Sequence, residues 1–260
     1  MVNKMDNKTI EQIVSQEIVE KILHEYLEHA VSSISDRIGI SEPAEKNIAG
    51  KIDHTLLRPD AIPGEINSLC EEAKQYNFAS VCVNPIYVPQ CYELLKNSGV
   101  KVCTVIGFPL GANTTEAKKF EAEQSVKNGA SEVDMVINIG MLKSGNYGFV
   151  FNDVSQVVSV AKKNNAICKV ILETSLLTDD EKIKACLLCK EAGADFVKTS
   201  TGFNAGGANA NDVALMKYVV GNSIGVKAAG GIRTRKDAET MIASGADRIG
   251  TSSGVKIVTT

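Results

Sequence analysis

The stretch Glu132-Val133-Asp134-Met135-Val136-Ile137 is a short apolar run with an aspartate in its middle and helix-like sequence on both sides. Similar runs recur over residues 52–254, and one repeat takes about 25 residues. The eight runs cover residues 52–54, 80–83, 101–106, 132–137, 167–172, 195–198, 225–228 and 248–250. Their short length and their content of Val and Ile predict β-strands.

The sequence between these runs has helical periodicity. The clearest examples are residues 66–76, 117–127, 179–192 and 211–220. Glycines at the ends of such stretches, as at Gly129 and Gly193, are typical of helix C-caps that lead into the next strand. Regular alternation of strand and helix predicts right-handed βαβ units and a parallel sheet. Eight units favour an α/β fold of the closed (β/α)8 TIM barrel type, because open doubly wound sheets usually have fewer strands.

Residues 1–49 follow a different pattern, an apolar stripe at helical spacing. Its members are Ile10, Ile13, Val14, Ile18, Val19, Ile22, Leu23, Tyr26, Leu27, Ala30, Val31 and Ile34. Thr9 and Gln12 have the spacing of a capping box, and Ser41-Glu42-Pro43 predicts the start of a second short helix. We interpret residues 1–49 as an N-terminal helical extension, packed on the main domain or on a neighbouring subunit. Residues 50–260 are expected to form one barrel domain.

The composition excludes several classes of function. The net charge is −3 and no basic tract is present, which argues against nucleic acid or an anionic membrane as the main partner. No stretch approaches the ~20 apolar residues of a spanning helix, and the first residues lack the apolar core of a signal peptide. We therefore expect a cytoplasmic protein whose anionic ligands are bound by a few local groups.

The cysteines and histidines do not predict a metal site. The seven cysteines are odd in number and scattered, and Cys82, Cys103 and Cys168 lie in predicted strands as small core residues. The Cys186 and Cys189 pair resembles half of a redox or zinc motif, but its position inside a predicted helix favours packing. The three histidines are not clustered. We expect no metal and no organic cofactor.

Charged residues interrupt four consecutive predicted strands, namely Asp134, Lys169, Lys198 and Lys227. Strands of a parallel barrel are covered on both faces, so a charge within one must be paired or change its pKa. One Asp facing three Lys leaves an excess of positive charge, and Glu173 can offset only one more. Because burial and neighbouring ammonium groups favour the neutral amine, we expect at least one of these lysines to be an imine-forming nucleophile. A silent ion network is the alternative, and the spacing does not rank the lysines.

Two glycine-rich loops suggest a phosphate site. They follow the predicted seventh and eighth strands at Gly230-Gly231 and Gly250-Thr251-Ser252-Ser253, and Thr201-Gly202 follows the sixth. The loops after strands seven and eight form the common phosphate site of TIM barrels, where glycines let backbone N–H groups approach an oxyanion. We therefore expect a phosphorylated ligand. The nucleotide-binding motifs Gly-x-x-x-x-Gly-Lys-Ser/Thr and Gly-x-Gly-x-x-Gly are absent from the expected positions, which argues against nucleotide cofactors.

Seven motifs in order along residues 50–256 closely resemble the deoxyribose-phosphate aldolases. They are Ile52-Asp53-His54-Thr55-Leu56-Leu57, Val81-Cys82-Val83-Asn84-Pro85, Val105-Ile106-Gly107-Phe108-Pro109-Leu110-Gly111, Glu132-Val133-Asp134-Met135-Val136-Ile137-Asn138, Lys169-Val170-Ile171-Leu172-Glu173-Thr174, Phe196-Val197-Lys198-Thr199-Ser200-Thr201-Gly202-Phe203 and Val226-Lys227-Ala228-Ala229-Gly230-Gly231. The resemblance implies a class I aldolase that cleaves 2-deoxy-D-ribose 5-phosphate to D-glyceraldehyde 3-phosphate and acetaldehyde. It implies no cofactor, and we expect a homodimer or homotetramer.

The resemblance also implies roles for individual residues. Lys198 matches the Schiff-base lysine, Lys227 the second lysine, Asp134 the acid/base carboxylate, and Lys169 a structural member of the same network. The implied substrate-binding set, joined by Thr201 and Gly250 from the loops above, is Asp53, Thr55, Leu57, Cys82, Lys169, Thr201, Gly202, Gly230, Gly231, Gly250, Ser252 and Ser253.

Two departures from the family pattern matter. Phe203 stands where some members carry a lysine near the phosphate, and Val258-Thr259-Thr260 lacks the C-terminal tyrosine with which some members assist proton transfer. That contribution is expected to be absent or supplied by water. Two other functions stay open, a transaldolase-like lysine aldolase and a phosphate-binding barrel without catalysis.

Overall fold

The computed structural model describes residues 5–36 and 47–260, and within them eight parallel strands close into a barrel in which each pairs with the next and β8 pairs with β1. The strands are β1 Ile52–Leu56, β2 Ser80–Val83, β3 Lys101–Ile106, β4 Glu132–Val136, β5 Ile167–Ile171, β6 Phe196–Lys198, β7 Gly225–Ala229 and β8 Arg248–Thr251. This confirms the predicted (β/α)8 TIM barrel. Each predicted run is a strand.

Helices surround the barrel. They are α1 Asn7–Ile13, α2 Gln16–Asp36, α3 Pro63–Tyr76, α4 Val88–Leu95, α5 Thr115–Lys127, α6 Ile139–Lys143, α7 Tyr147–Lys163, α8 Asp179–Glu191, α9 Ala210–Val220, α10 Arg235–Ala243 and α11 Gly254–Thr259. Short 3-10 turns occupy Ala49–Lys51, Pro85–Tyr87 and Thr174–Leu176. The main apolar core lies between strands and helices and contains Val133 and Met135, which alternate along β4 with the inward-facing Asp134.

Local sequence explains where several helices begin. At α8 the Thr178 hydroxyl accepts a hydrogen bond from the Glu181 N–H at 3.2 Å, and the Glu181 carboxylate accepts one from the Thr178 N–H at 2.9 Å. This reciprocal capping box satisfies two N–H groups that the helix leaves unpaired. α3 begins at Pro63, where the missing N–H of proline costs nothing.

The N-terminal extension differs from its prediction in two ways. The single expected helix is two helices, which are separated at Val14 and Ser15. The predicted Thr9 cap is wrong, because Asp6 is the N-cap and accepts a hydrogen bond from the Thr9 N–H at 2.8 Å. A carboxylate is favoured at a helix N-terminus by both hydrogen bonding and the helix dipole. The second helix predicted from Ser41 lies outside the described residues.

The extension packs on helices at the outside of the barrel. α1 contacts α7 and α8, and α2 contacts α8 and α9. Ile10, Val14 and Val19 are buried in this contact, whereas Ile18 and Leu27 are exposed. Among residues 5–36 and 47–260, no helix is both long and apolar enough to cross a membrane.

The packing interpretation of the Cys186 and Cys189 pair holds in the structure. Cys186 and Cys189 are fully buried in α8, as the packing interpretation requires. His24 and His29 are exposed on α2.

A fully buried ion pair joins α5 and α7 to the end of β4. The Lys118 ammonium lies 2.5 Å from the Asp153 carboxylate and donates a hydrogen bond to the Val136 carbonyl at 2.9 Å. The Thr115 hydroxyl donates to the other carboxylate oxygen of Asp153 at 2.9 Å. Every strong polar group in this contact is therefore paired, as burial requires.

We expect Asp153→Ala to lower the free energy of unfolding by about 3–5 kcal/mol, because it leaves the Lys118 ammonium buried without its carboxylate. Glu239→Ala is the control. It breaks the Arg235–Glu239 pair, whose side chains are about one third exposed, and should cost less than about 1 kcal/mol. Urea unfolding followed by circular dichroism measures both variants. Equal losses would contradict the assignment of Lys118 and Asp153 as a structural pair.

Candidate active site

The barrel interior holds an interior cluster of seven charged side chains. They are Asp53, Glu132, Asp134, Lys169, Lys198, Lys227 and Arg248. Strand register places them together. In the sheet, Asp134 lies beside Lys169 on the neighbouring strand, and Lys227 lies beside Lys198 on one side and Arg248 on the other. The expectation that Asp134 and the three strand lysines meet in one polar cluster is confirmed.

Asp134 lies at the centre of the interior cluster. One of its carboxylate oxygens accepts hydrogen bonds from the ammonium groups of Lys198 at 2.9 Å and Lys227 at 2.7 Å. The other accepts from Lys169 at 2.9 Å and from the Cys103 thiol at 3.2 Å. Burial raises the pKa of Asp134, but Lys169, Lys198 and Lys227 outweigh it and hold that pKa well below its usual range. Asp134 is therefore a carboxylate throughout the neutral pH range.

A second layer of charges lies beneath Asp134. The Lys169 ammonium lies 2.6 Å from the Glu132 carboxylate, and the Lys227 ammonium lies 2.5 Å from that of Asp53. The Arg248 guanidinium donates to Asp53 through Nε at 2.8 Å and through Nη2, and to Glu132 through Nη2 at 3.1 Å. Sequence reasoning missed Glu132 and Arg248, and it placed Asp53 only among substrate-binding residues.

These contacts correct the predicted charge balance. Glu173 makes no ion pair with Lys169 in the described part of the chain, and Asp53 and Glu132 supply the additional negative charge. Three carboxylates then face four cations, which leaves an excess of one positive charge.

Two of the lysines do not behave as their crowding suggested. Burial lowers the pKa of Lys169 and Lys227, but Asp134 and the other carboxylates outweigh it and raise both pKa values above the ordinary range. Desolvation does favour the neutral amine, as expected, but in these two residues the neighbouring carboxylates have the larger effect. The physical reason is that each contacts more than one carboxylate.

Lys198 differs from the other two lysines. Its ammonium contacts one carboxylate, that of Asp134, which it shares with Lys169 and Lys227. It is also the lysine of the interior cluster that lines the cavity at the C-terminal end of the barrel. The structure thus distinguishes the three lysines, which sequence spacing alone left unranked.

The cavity above the interior cluster has a volume of about 370 Å³. The residues of the predicted site that line it are Thr55, Leu57, Lys198, Thr201, Gly202, Gly230, Gly231, Gly250 and Ser252. Leu57 and Phe203 give it one apolar side, and the ring of Phe203 meets that of Phe108 edge to face at 5.2 Å. Gly230 and Gly231 have φ of 91° and 79°, a region that favours glycine and turns their backbone toward the cavity edge.

Six predicted site residues do not line the cavity. Asp53 and Lys169 are fully buried in the second layer of charges, and Asp134 and Lys227 lie just beneath the cavity floor. Cys82 is also fully buried, in an apolar group with Leu57, Cys103 and Val105. The sixth, Ser253, caps α11 and donates its N–H to the Thr251 hydroxyl at 2.9 Å.

Two arginines at the cavity were missed as site residues. Arg233 is exposed, lines the cavity, and directly follows Gly230-Gly231-Ile232, which is the signal that would have found it. Arg58 also lines the cavity, and it pairs with Asp60 at 2.6 Å and Glu65 at 2.5 Å. Both bring positive charge to the mouth of the cavity.

Glu173 holds the loop after β6. Its backbone has φ of 58° and ψ of 62°, a left-handed conformation that is uncommon for a residue with a side chain. The buried carboxylate accepts hydrogen bonds from the N–H and hydroxyl of Thr201 and from the Asn204 amide at 2.9 Å. Glu173 therefore fixes the Thr201-Gly202 segment of the cavity wall, a role that the sequence did not reveal.

Among residues 5–36 and 47–260, one group of side chains at this site has metal-ligand character, and it is poorly suited to a cation. Cys82, Cys103 and Asp134 offer three ligand atoms within 4.8 Å of one another. Asp134 already accepts from three ammonium groups, and the Lys169 ammonium lies 3.4 Å from the Cys103 sulfur. Burial and the neighbouring Cys82 thiol raise the pKa of Cys103 well above its usual value, which keeps it a thiol.

Comparison with known proteins assigns the chain to a family. The chain is similar to curated deoxyribose-phosphate aldolases. That of Thermoanaerobacter sp. (strain X514) is 62% identical over 82% of this chain and 96% of its own length. The structure is similar to a tetrameric deoxyribose phosphate aldolase from Aeropyrum pernix, with a TM-score of 0.77 at 39% identity over 82% of this chain and 89% of that one.

A second solved structure, from Coccidioides immitis and proposed to be a deoxyribose-phosphate aldolase, has a TM-score of 0.81 at 44% identity over 90% of this chain and 96% of that one. Residues 48–259 match the family described as DeoC/LacD family aldolase, and these residues contain the whole barrel and cavity. The chain therefore belongs to the DeoC/LacD aldolase family.

Proposed function

We propose that the protein is a class I aldolase that reversibly cleaves 2-deoxy-D-ribose 5-phosphate to D-glyceraldehyde 3-phosphate and acetaldehyde, with Lys198 as the Schiff-base nucleophile. The observation that carries the proposal is the position of Lys198. Its amine lines the cavity and at the same time contacts Asp134 at 2.9 Å. An imine-forming lysine needs both access to substrate and an environment that can release its proton.

The charge balance of the interior cluster supports this role. With four cations and three carboxylates, one amine can lose its proton while every carboxylate keeps a cationic partner. Lys198 suits this loss best, because Asp134 still contacts Lys169 and Lys227 afterwards. The other lysines each neutralise a second carboxylate.

The reaction then follows from a neutral Lys198 amine. It attacks the C1 aldehyde of the open-chain sugar, and loss of water gives a protonated imine. The imine accepts the electron pair of the C2–C3 bond as a base removes the C3 hydroxyl proton, and D-glyceraldehyde 3-phosphate leaves. Protonation of the enamine at C2 and hydrolysis release acetaldehyde and regenerate Lys198. No step requires a metal or an organic cofactor.

We assign proton transfer to Asp134 and Lys227. Lys227 and Lys198 donate to the same oxygen of Asp134, so a proton can be exchanged among the three groups over short distances. Both Asp134 and Lys227 are fully buried beneath the cavity floor. Their exchange with the C3 hydroxyl therefore runs through water in the cavity.

The phosphate is expected at the glycine-rich side of the cavity. Gly202, Gly230, Gly231 and Ser252 line this side, and Arg233 supplies a positive charge there. Backbone N–H groups together with one arginine suit a phosphate dianion. The apolar Phe203 contributes no such charge, so Arg233 carries more of the phosphate recognition.

The proposal extends to assembly and location. The related Aeropyrum pernix enzyme is described as tetrameric, and α2 presents the exposed side chains of Ile18 and Leu27 on the outer surface. We propose a homodimer or homotetramer in the cytoplasm.

We expect Lys198→Ala to reduce turnover of 2-deoxy-D-ribose 5-phosphate by about 10³-fold or more, because no other lysine of the cluster lines the cavity. Wild-type protein reduced with borohydride in the presence of acetaldehyde should carry a two-carbon adduct on Lys198, located by intact mass and peptide mapping. Lys184→Ala, which removes an amine that pairs with Asp180 on α8 and does not line the cavity, is the control and should keep both activity and adduct.

Absence of an adduct on any lysine, with tight binding of the sugar phosphate, would instead support a phosphate-binding barrel without catalysis. Turnover of a ketose phosphate without turnover of the deoxy-sugar would support a transaldolase-like enzyme.

We expect Arg233→Ala to raise KM for 2-deoxy-D-ribose 5-phosphate by about 10- to 100-fold, the loss of one charge-assisted hydrogen bond to the phosphate. Cleavage of unphosphorylated 2-deoxyribose should change little. Arg235→Ala is the matched control, since Arg235 lies two residues further on, pairs with Glu239 at 2.9 Å and does not line the cavity. A similar loss with both sugars would show that Arg233 does not recognise the phosphate.

A further inference from the structure

Arg248 and Glu132 are the first residues of β8 and β4, and both lie deep in the barrel, away from the cavity. We propose that they form a positioning pair that sets how many protons the interior cluster holds, and so decides whether Lys198 is a free amine at neutral pH. The inference rests on the proposed imine chemistry of Lys198. It gives a function to two charges that do not line the cavity.

The pair is connected to Lys198 along two routes of direct contact. Arg248 donates to Asp53, whose other oxygen lies 2.5 Å from Lys227, and Lys227 donates to Asp134 at 2.7 Å. Glu132 lies 2.6 Å from Lys169, which donates to Asp134 at 2.9 Å. Both routes end on Asp134, the carboxylate that contacts Lys198.

All eight strands contribute to the surroundings of Lys198. The titratable and charged groups that face the interior are Asp53 of β1, Cys82 of β2, Cys103 of β3, Glu132 and Asp134 of β4, Lys169 of β5, Lys198 of β6, Lys227 of β7 and Arg248 of β8. Arg58 and Arg233 add charge at the cavity mouth.

The pair therefore acts through the charge count of this set. In the native cluster one proton can leave and the charges then balance. Without the Arg248 charge, three ammonium groups face three carboxylates, and Lys198 must keep its proton to balance them. Without the Glu132 charge the positive excess rises to two, and Lys198 loses its proton more readily.

A pair with only a structural role would behave differently from one that controls charge. Removal of either residue would then loosen the same contact and lower activity in the same way at every pH. Charge control instead predicts shifts of opposite sign for the two residues, and cancellation when both charges are removed. The sign of the shift thus separates the two explanations.

The test compares Arg248→Met, Glu132→Gln and the double variant in the full chain. The readout is kcat/KM for 2-deoxy-D-ribose 5-phosphate against pH, whose acidic limb reports the free enzyme. We expect this limb to move to higher pH by about one unit or more in Arg248→Met, and to lower pH by a similar amount in Glu132→Gln. In the double variant it should return close to the wild-type position, because the excess of one positive charge is restored.

Arg248→Lys keeps the charge and should leave the limb near its wild-type position. If Arg248→Met does not fold, Glu132→Gln and Arg248→Lys still test the sign and the control. Acidic limbs that do not move, or that move in the same direction in both single variants, would overturn the inference.

Borohydride trapping with acetaldehyde separates failure of this inference from failure of the proposed aldolase function. If wild type forms an adduct on Lys198 but the acidic limbs of the variants do not move, only the role of Arg248 and Glu132 is contradicted. If wild type forms no adduct, the proposed function is contradicted and this inference with it.

Discussion

The interior cluster depends on one buried carboxylate, that of Asp134, which accepts hydrogen bonds from three ammonium groups at once. No pair in this group would be stable alone in an apolar interior, because each charge loses its hydration on burial. The closed barrel makes the arrangement possible, since its strands bring side chains from β4 to β7 to the same point on the barrel axis. A slip of one residue in any of these strands would turn its charged side chain outward into the apolar layer.

The barrel separates two tasks along its axis. The side chains of the interior cluster are ion-paired and mostly inaccessible, so they can fix the charge around Lys198 without contacting substrate. The cavity above is lined by loop residues, which supply recognition and can differ between relatives without disturbing the charges below. Glu173 connects the end of β5 to the loop that follows β6 in the cavity wall. It follows β5, and its left-handed backbone aims a buried carboxylate at Thr201, so the end of one strand fixes the loop of the next.

The fold and the centre of the site could be predicted from the sequence, because both depend on local patterns. Apolar runs of strand length recur eight times, and Asp134, Lys169, Lys198 and Lys227 interrupt them at positions where a charge is conspicuous. Glu132 and Arg248 could not be found in this way. Each begins its strand, where a charge ordinarily reaches solvent, and only the register of the closed barrel turns both inward.

The expectation that Glu173 offsets the charge of the strand lysines was wrong for another reason. The positive φ of Glu173 reverses the direction that strand alternation predicts for its side chain. In the extension, Asp6 rather than Thr9 caps the first helix, and the apolar stripe runs through Val14 and Ser15 without signalling the break between the two helices.

The interior cluster is not what a barrel needs for stability. A buried ion network is often no more stable than well-packed apolar side chains of similar volume, and TIM barrels usually fill this space with Val, Ile and Leu. Seven charged residues in the middle of the barrel therefore indicate selection for chemistry. The unequal number of cations and carboxylates strengthens the point, because a structural network would be expected to balance. An excess of one positive charge is costly at this depth, and it is also the condition under which one amine can be neutral while its neighbours stay charged.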